Sequence, residues 1–342
     1  MALPFSPPLA PMLAELESAL PSADGWRYEP KWDGFRAIVF RDGDDVYIGS
    51  RGQKTLQRYF PEVVAQARAT LPRRCVVDGE IVVPIDGVLE FDMLSQRIHP
   101  ADSRVRMLAE RWPATLVAFD LLAEGSRDLR KRPLSDRAAA LGKALGEPPA
   151  RFEELLEPRP RVVLTPHTHD PAEAQRWLLD LEPAGLDGVM AKREDLPYLS
   201  NERAMVKVKR QKTADCVVGG YRVHKSGDGV GSLLLALYDG DHLRHVEFTA
   251  AFDARTRRKL LDIVRPHEGG DAFAPGAGPG GPSRWRAEET PWTPLQPALV
   301  CEVAYDKVTG DRIRHGARFL RWRPDKPPRE CTMEQLRTGG RG

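Results

Sequence analysis

Glu29-Pro30-Lys31-Trp32-Asp33-Gly34-Phe35-Arg36 sets one lysine between two carboxylates and closes on a glycine turn. The group able to form a bond here is the Lys31 amine. An amine attacks only when neutral, and a free lysine titrates near about 10.4, so a nucleophilic lysine needs desolvation or neighbouring cations. A surface Lys-Trp-Asp-Gly turn would need neither, so the chemistry depends on what the rest of the chain brings to Lys31. Met205-Val206-Lys207-Val208-Lys209 alternates strictly, which puts Lys207 and Lys209 on one face of a strand. Two such lysines repel unless an anion lies between them or water surrounds them, and beside Lys31 they would lower its pKa. Arg51, Asp78, Glu80 and Asp187 stand in or next to apolar runs as well. Together these groups offer one nucleophile, cations for phosphate oxygens, and carboxylates for a divalent metal or ribose hydroxyls. The set suits phosphoryl or nucleotidyl transfer better than acyl transfer, because it supplies charge and positioning but no Ser-His-Asp arrangement.

The elements that must carry these residues follow from periodicity. Residues 8–20 read as a short helical lead-in ended by Pro21. Ala37–Phe40 and Val46–Ile48 flank Asp42-Gly43-Asp44, a hairpin signal. Leu56–Leu71 has apolar residues at helical spacing. Val76-Val77-Asp78-Gly79-Glu80-Ile81-Val82-Val83 reads as a buried strand interrupted by an acidic turn or bulge, and Leu116–Leu122 as another buried strand with Asp120 in it. Acidic residues and glycine inside β-branched runs oppose local propensity, and such conflicts gather at functional positions. Helices are expected at 135–146 and 171–181, with Ser135 and Asp170 as N-caps. Gly185-Leu186-Asp187-Gly188 then enters the strand Val189–Lys192.

Near Gln211-Lys212-Thr213 the pattern changes to strands, at 216–221, 232–238, 243–249 and 300–305, with one helix from Asp253 to Val264. That content fits a small OB-type β-barrel. Two domains are expected, 1–210 and 211–342, the second with a mobile Gly/Pro-rich loop at 268–283. The first holds 30 basic and 32 acidic residues, the second 21 and 17. A mildly basic second half suits a polyanionic partner. Cys75, Cys216, Cys301 and Cys331 form no Cys-x-x-Cys pair, which argues against a zinc ribbon or disulfide framework. With no signal peptide and no membrane-length apolar run, a cytoplasmic protein without a membrane partner is expected.

The ordered set Lys31-Trp32-Asp33-Gly34, Ser50-Arg51-Gly52, Asp78-Gly79-Glu80, Phe119-Asp120, Asp187-Gly188-Val189-Met190-Ala191-Lys192, Lys207-Val208-Lys209 and Arg323-Pro324-Asp325-Lys326 resembles the covalent nucleotidyltransferases. Within that superfamily it is most similar to the small bacterial ATP-dependent DNA ligases of repair. The resemblance implies an α+β nucleotidyltransferase (adenylation) domain of antiparallel sheets with flanking helices, followed by a C-terminal OB-fold β-barrel. It implies a lysyl-AMP on Lys31, transfer of AMP to the 5′-phosphate of a nick, and sealing by the 3′-hydroxyl. By matching motif, Glu29 would sit at the adenine edge and Phe119 would stack on its face. Arg36 and Arg51 would contact phosphate or ribose, Glu80 would hold ribose hydroxyls or metal, and Asp187 would bind metal. Lys207 and Lys209 would neutralise the α-phosphate, and Arg323, Asp325 and Lys326 would orient pyrophosphate after domain closure. The implied cofactors are ATP and Mg or Mn, and the implied partner is nicked duplex DNA bound by a monomer. This chain has Asp187-Gly188 where the family more often has Glu-Gly, a carboxylate one methylene shorter, and Met205 stands near where relatives often have an aromatic.

The same lysine chemistry serves RNA ligases and GTP-using RNA-capping guanylyltransferases. An NAD-dependent ligase fits less well, since thirty residues precede Lys31 and no four-cysteine zinc site exists. A non-enzymatic OB-type nucleic-acid-binding protein would be expected to have lost the lysine.

Overall fold

The computed structural model describes residues 3–337 apart from 211, 271, 272, 274–277, 280–290 and 315. The stretch 268–283, expected as a mobile loop, lies largely outside the described residues. The chain divides into two units, Met1–Arg210 and Gln211–Gly342.

In the first unit, strands β1 (Leu13–Glu17), β2 (Trp26–Pro30), β3 (Phe35–Asp42) and β4 (Asp45–Ser50) lead to helix α1 (Pro61–Thr70) and β5 (Arg74–Val82). A two-residue ladder, β6 (Pro84–Ile85) with β7 (Val88–Leu89), precedes α2 (Phe91–Gln96) and α3 (Asp102–Arg111). Then come β8 (Thr115–Glu124), β9 (Arg127–Asp128), α4 (Leu134–Leu145), β10 (Arg161–Leu164), α5 (Pro171–Asp180), β11 (Val189–Arg193) and β12 (Arg203–Val208). The larger sheet runs β10-β8-β5-β3-β4 with β9 on β8; the smaller runs β1-β12-β11-β2. Antiparallel pairing dominates, with β10/β8 and β1/β12 parallel.

The continuous apolar runs of β3 and β5 are explained by burial on both faces. Ala37 and Val39 join the core against α1 and α4, whereas Ile38 and Phe40 join a second core with Met12, Tyr198 and Met205 of the smaller-sheet side. Helix α5 covers the smaller sheet's other face through Ala174 and Leu178. Helices therefore lie outside two sheets that face each other, and the space between the sheets is where a ligand can enter.

Three local expectations are corrected. Residues 8–20 hold a strand, β1, because backbone pairing with β12 at Ala14↔Met205 and Leu16↔Lys207 overrides helical propensity. Helix α1 starts at Pro61, whose missing N–H costs nothing at a helix's first position; Leu56 and Phe60 are buried ahead of it. Ser135 does not cap α4, whose N-cap is Pro133 with no side-chain bond. Asp170 does cap α5, accepting from Ala172 N at 2.8 Å.

The second unit carries β13 (Lys212–Val223), β14 (Val230–Asp239), β15 (His242–Thr249), α6 (Ala254–Val264), β16 (Thr293–Pro294), β17 (Val300–Tyr305), β18 (Lys307–Thr309), β19 (Arg312–Arg314), β20 (Arg318–Trp322) and α7 (Glu334–Arg337). Its sheet runs β15-β14-β13-β17-β20. A parallel bridge Thr249↔Ala317, with Phe319 N donating to Thr249 Oγ1 at 3.0 Å, returns the last strand to β15 and closes the barrel. Asp253 caps α6, as its position before the periodic run implies.

Candidate active site

A cavity of about 530 Å³ opens between the two sheets of the first unit. Strand parity decides what faces it. In β12 and just beyond, Met205, Lys207 and Lys209 line the cavity, while Val206 and Val208 turn to the α5 side. In β11, Met190 and Lys192 line it, while Val189 and Ala191 turn away. Register places Met190 between Glu29 on one neighbour and Lys207 on the other, so one row crosses the smaller sheet.

Lys31 follows the end of β2, and its backbone is tied to the loop that enters β11. Lys31 N donates to Gly188 O at 2.8 Å, and Asp187 N donates to Lys31 O at 3.0 Å. Gly188 has φ of 139°, and a Cβ there would meet Val208 O at 2.1 Å, so only glycine lets this loop close on the strand carrying Lys207 and Lys209. At Gly34 a Cβ would meet Ile81 O at 2.2 Å, which brings the turn after Lys31 against β5. Trp32 points into the core instead: its Nε1 donates to Thr165 Oγ1 at 3.0 Å and its ring stacks on Phe152 at 5.7 Å. The motif's tryptophan thus anchors the turn, and the lysine beside it is left at the cavity.

The side-chain amine of Lys31 donates to Asp187, and Lys209 lies 3.0 Å from the same carboxylate oxygen. The expected cationic surround is therefore modified by an acid between two of the lysines. Burial alone would raise the Asp187 carboxyl, but Lys31 and Lys209 hold it below its usual range. Burial, then Lys31, Lys209 and Arg51, pull the Lys207 ammonium down.

On the larger sheet, Arg36 and Glu80 are cross-strand partners and both line the cavity. Burial pushes Glu80 up to about 7, against the opposing pull of Arg36 and Lys31. Arg36 forks onto Asp78 through Nε and Nη2, both at 2.6 Å. Burial would lower its pKa, yet Asp78 raises it on balance. Phe119 is the extra residue of a β-bulge, since Asp78 pairs Asp120 and Gly79 pairs Ala118. That bulge gives Phe119 to the cavity, with Arg36 Cζ 4.4 Å and Lys192 Nζ 4.2 Å from its ring centroid. The interruption expected in β5 is absent: Asp78-Gly79-Glu80 continues the strand in unbroken register with β3, and the bulge belongs to β8 opposite it.

Glu29, Lys31, Arg36, Arg51, Glu80, Phe119, Lys207 and Lys209 are brought together at one cavity, and Asp187 contacts two of them. Arg323 and Lys326 belong to the second unit. There Arg323 Nη1 donates to Asp215 at 2.8 Å and Nη2 to Asp325 at 2.8 Å, while Lys326 pairs with Glu330 at 3.3 Å. The Arg323 hydrogen bond holds Asp325 down to about 2. Lys192 was not singled out by sequence, yet it lines the cavity and its Nζ donates to the buried Glu29 at 2.6 Å. Its parity with Met190 was the available signal.

Among the described residues no group of three His, Cys, Asp or Glu side chains could hold a metal by itself. Glu80 at the cavity and Asp187 beside it form the sparse oxygen donor set with which Mg²⁺ binds through one or two carboxylates plus substrate phosphates. The residues present fit that kind of site.

Residues 7–209 match the family model described as ATP dependent DNA ligase domain, and residues 226–326 match ATP dependent DNA ligase C terminal region. The chain belongs to the ATP-dependent DNA ligases. It is 49% identical over 350 residues to DNA ligase C1 of Mycolicibacterium smegmatis, covering 99% of this chain and 96% of that protein. It is likewise 49% identical over 351 residues to DNA ligase C of Mycobacterium tuberculosis, covering 98% and 96%. A solved structure from a structure-function analysis of Lig E DNA ligases superposes with a TM-score of 0.55 at 17% identity, over 92% of this chain and 99% of that one, a likeness of fold. The ligase architecture is accordingly an α+β nucleotidyltransferase domain followed by an OB-fold barrel. Among the described residues no helix of this ligase is long and apolar enough to cross a membrane.

Proposed function

We propose that this chain seals 3′-hydroxyl/5′-phosphate nicks in duplex DNA through a lysyl-AMP on Lys31, in DNA repair. Supporting the reading above all is the meeting of Lys31, Lys207 and Lys209 at one cavity with Phe119 and Glu80. The neutral Lys31 amine attacks the α-phosphorus of ATP; an N–P bond forms, the α–β P–O bond breaks, pyrophosphate leaves with the electron pair, and the nitrogen's proton passes to the Asp187 carboxylate that it contacts. Lys207 and Lys209 stand where they can neutralise α-phosphate oxygens, and Asp187 holds Lys31 and Lys209 in place beside them. The AMP then passes to the 5′-phosphate of the nick, and the 3′-hydroxyl displaces it.

Phe119 provides the stacking face for adenine and Glu29 its edge, with Lys192 holding the Glu29 carboxylate. Arg36 and Arg51 contact ribose or phosphate, and Glu80 holds ribose hydroxyls. A divalent cation would be held by Asp187 and Glu80, and when bound it neutralises phosphate charge. Residues 1–210 form the adenylation domain and 211–342 the OB-fold domain, whose Arg323, Asp325 and Lys326 orient pyrophosphate. The protein acts as a monomer in the cytoplasm, where its four buried free thiols stay reduced.

The test is incubation with α-labelled ATP or GTP and magnesium or manganese, then denaturing electrophoresis. Label from ATP that is discharged by nicked DNA and absent in Lys31→Ala is the expected outcome. Label from GTP would move the assignment to capping chemistry, discharge by nicked RNA alone to RNA ligation, and no label from either to a binding protein.

A further inference from the structure

Asp78 and Asp120 are directly opposed across β5 and β8, and both carboxylates are buried. Two buried carboxylates side by side are tolerable only if each is matched by a cation. Arg137 matches Asp120, with Nε and Nη2 at 2.8 and 2.9 Å. Its Nη1 goes to the carbonyls of Arg132 and Leu196, and its side chain is only 2% exposed, so this pair is closed to ligands.

The Asp78 pair is built otherwise. Arg36 takes it in a fork, but the arginine side chain keeps 18% of its exposure and lines the nucleotide cavity. Among the described residues its Nη1 has no hydrogen-bond partner. Asp78 receives a third bond, from Tyr198 Oη at 2.6 Å. That hydroxyl accepts from Met12 N at 3.1 Å, which directs its own proton onto Asp78. Tyr198 is buried and does not line the main cavity. A second cavity of about 10 Å³ shares Phe119, Arg36 and Lys192 with the first and adds Asp120, Arg137 and Tyr198.

We propose that Tyr198 is a positioning residue for ATP: through Asp78 it fixes the Arg36 guanidinium against the Phe119 ring before the nucleotide arrives. The inference rests on the assignment of Arg36 and Phe119 as nucleotide contacts. An arginine oriented by the two bonds it donates to a carboxylate can still pivot with it, and the bond Tyr198 donates to that carboxylate removes that freedom, so less order has to be created on binding.

The experiment measures lysyl-AMP formation against ATP concentration in the full chain for wild type, Tyr198→Phe, Arg36→Ala and the double variant. Tyr198→Phe is expected to raise the ATP concentration at half-maximal rate about 5–10-fold, the size of one ordinary hydrogen bond's net contribution, because the Arg36–Asp78 fork itself remains. The limiting rate is expected to stay within about 2-fold, and the substitution to add less than about 2-fold in the Arg36→Ala background. An unchanged half-saturation, an equal fall in the limiting rate, or a full additional effect without Arg36 would overturn the proposal; so would a lower melting temperature with wild-type ATP dependence. If Tyr198→Phe does not fold, Asp78→Asn must show the same split. Absence of label in the wild type would instead defeat the nucleotide assignment itself.

Discussion

On the smaller-sheet wall of the cavity Lys31 and Lys209 lean on one Asp187 oxygen, and Lys207 has no ion-pair partner among the described residues. On the larger-sheet wall, Asp78 and Asp120 each hold one arginine in a two-bond fork. In the first arrangement Lys207 has no carboxylate of its own among the described residues, which is costly unless an anion comes to it. The second is balanced pair by pair, and only the Arg36 member of it reaches the cavity. Lys192 with Glu29 is also matched, which leaves Lys207 as the lysine of this wall without an ion-pair partner among the described residues. Under the proposed function, unmatched charge would take the phosphates and matched charge would frame the base side of the cavity.

That contrast can be broken most forcefully at Arg137. Arg137→Ala leaves Asp120 buried and unpaired, and urea unfolding is expected to show a loss of about 3–5 kcal/mol. A loss as small as that of a surface substitution would mean the fork is not structural. Gly188→Ala should come next: with its Cβ forced against Val208 O, the loop must move Asp187 relative to Lys31, slowing lysyl-AMP formation by about 10²-fold in single-turnover labelling. Lys207→Ala sharpens the contrast from the other side. Labelling is expected to slow about 10-fold at fixed ATP while unfolding free energy stays within about 0.5 kcal/mol, because the lysine serves a ligand rather than the fold. An equal cost to stability would erase the distinction between the walls.

The smallest effect concerns His167, which burial and then Arg27, His169 and Lys192 pull down to about 4. Its folded pKa lies below the unfolded value, so between about pH 4 and 6.5 the unfolded chain binds more protons and stability rises with pH. His167→Asn should flatten that slope by on the order of 1 kcal/mol in unfolding curves taken at pH 4.5 and 7. An unchanged slope would show that burial and the neighbouring cations do not hold the imidazole neutral in the folded chain.

Much of this was legible in residue order. The alternation at 205–209 placed Lys207 and Lys209 on one face, and parity alone carried that to the cavity. The hairpin at 42–45 also emerged as read, whereas the expected acidic break in β5 did not: that strand is continuous, and the bulge opposite Asp78-Gly79 is in β8. The lead-in at 8–20 was misread because its strand exists only by pairing with residues nearly two hundred positions away. Lys192 was passed over for a related reason. A lysine ending an apolar strand looks like a solvated terminus until Glu29 and Phe119 are seen beside it.

The sequence by itself determined the candidate lysine, the glycines and the order of the charged motifs, because bond-forming groups and close backbone approaches demand particular residues at particular positions. Only the tertiary structure decided which charges are spent on one another. Asp78 and Asp120 read alike along the chain, yet one holds an arginine sealed in the core and the other an arginine at the cavity. That difference arises from the packing of α4 and of the segment carrying Tyr198, and no local pattern encodes a contact made across so many residues.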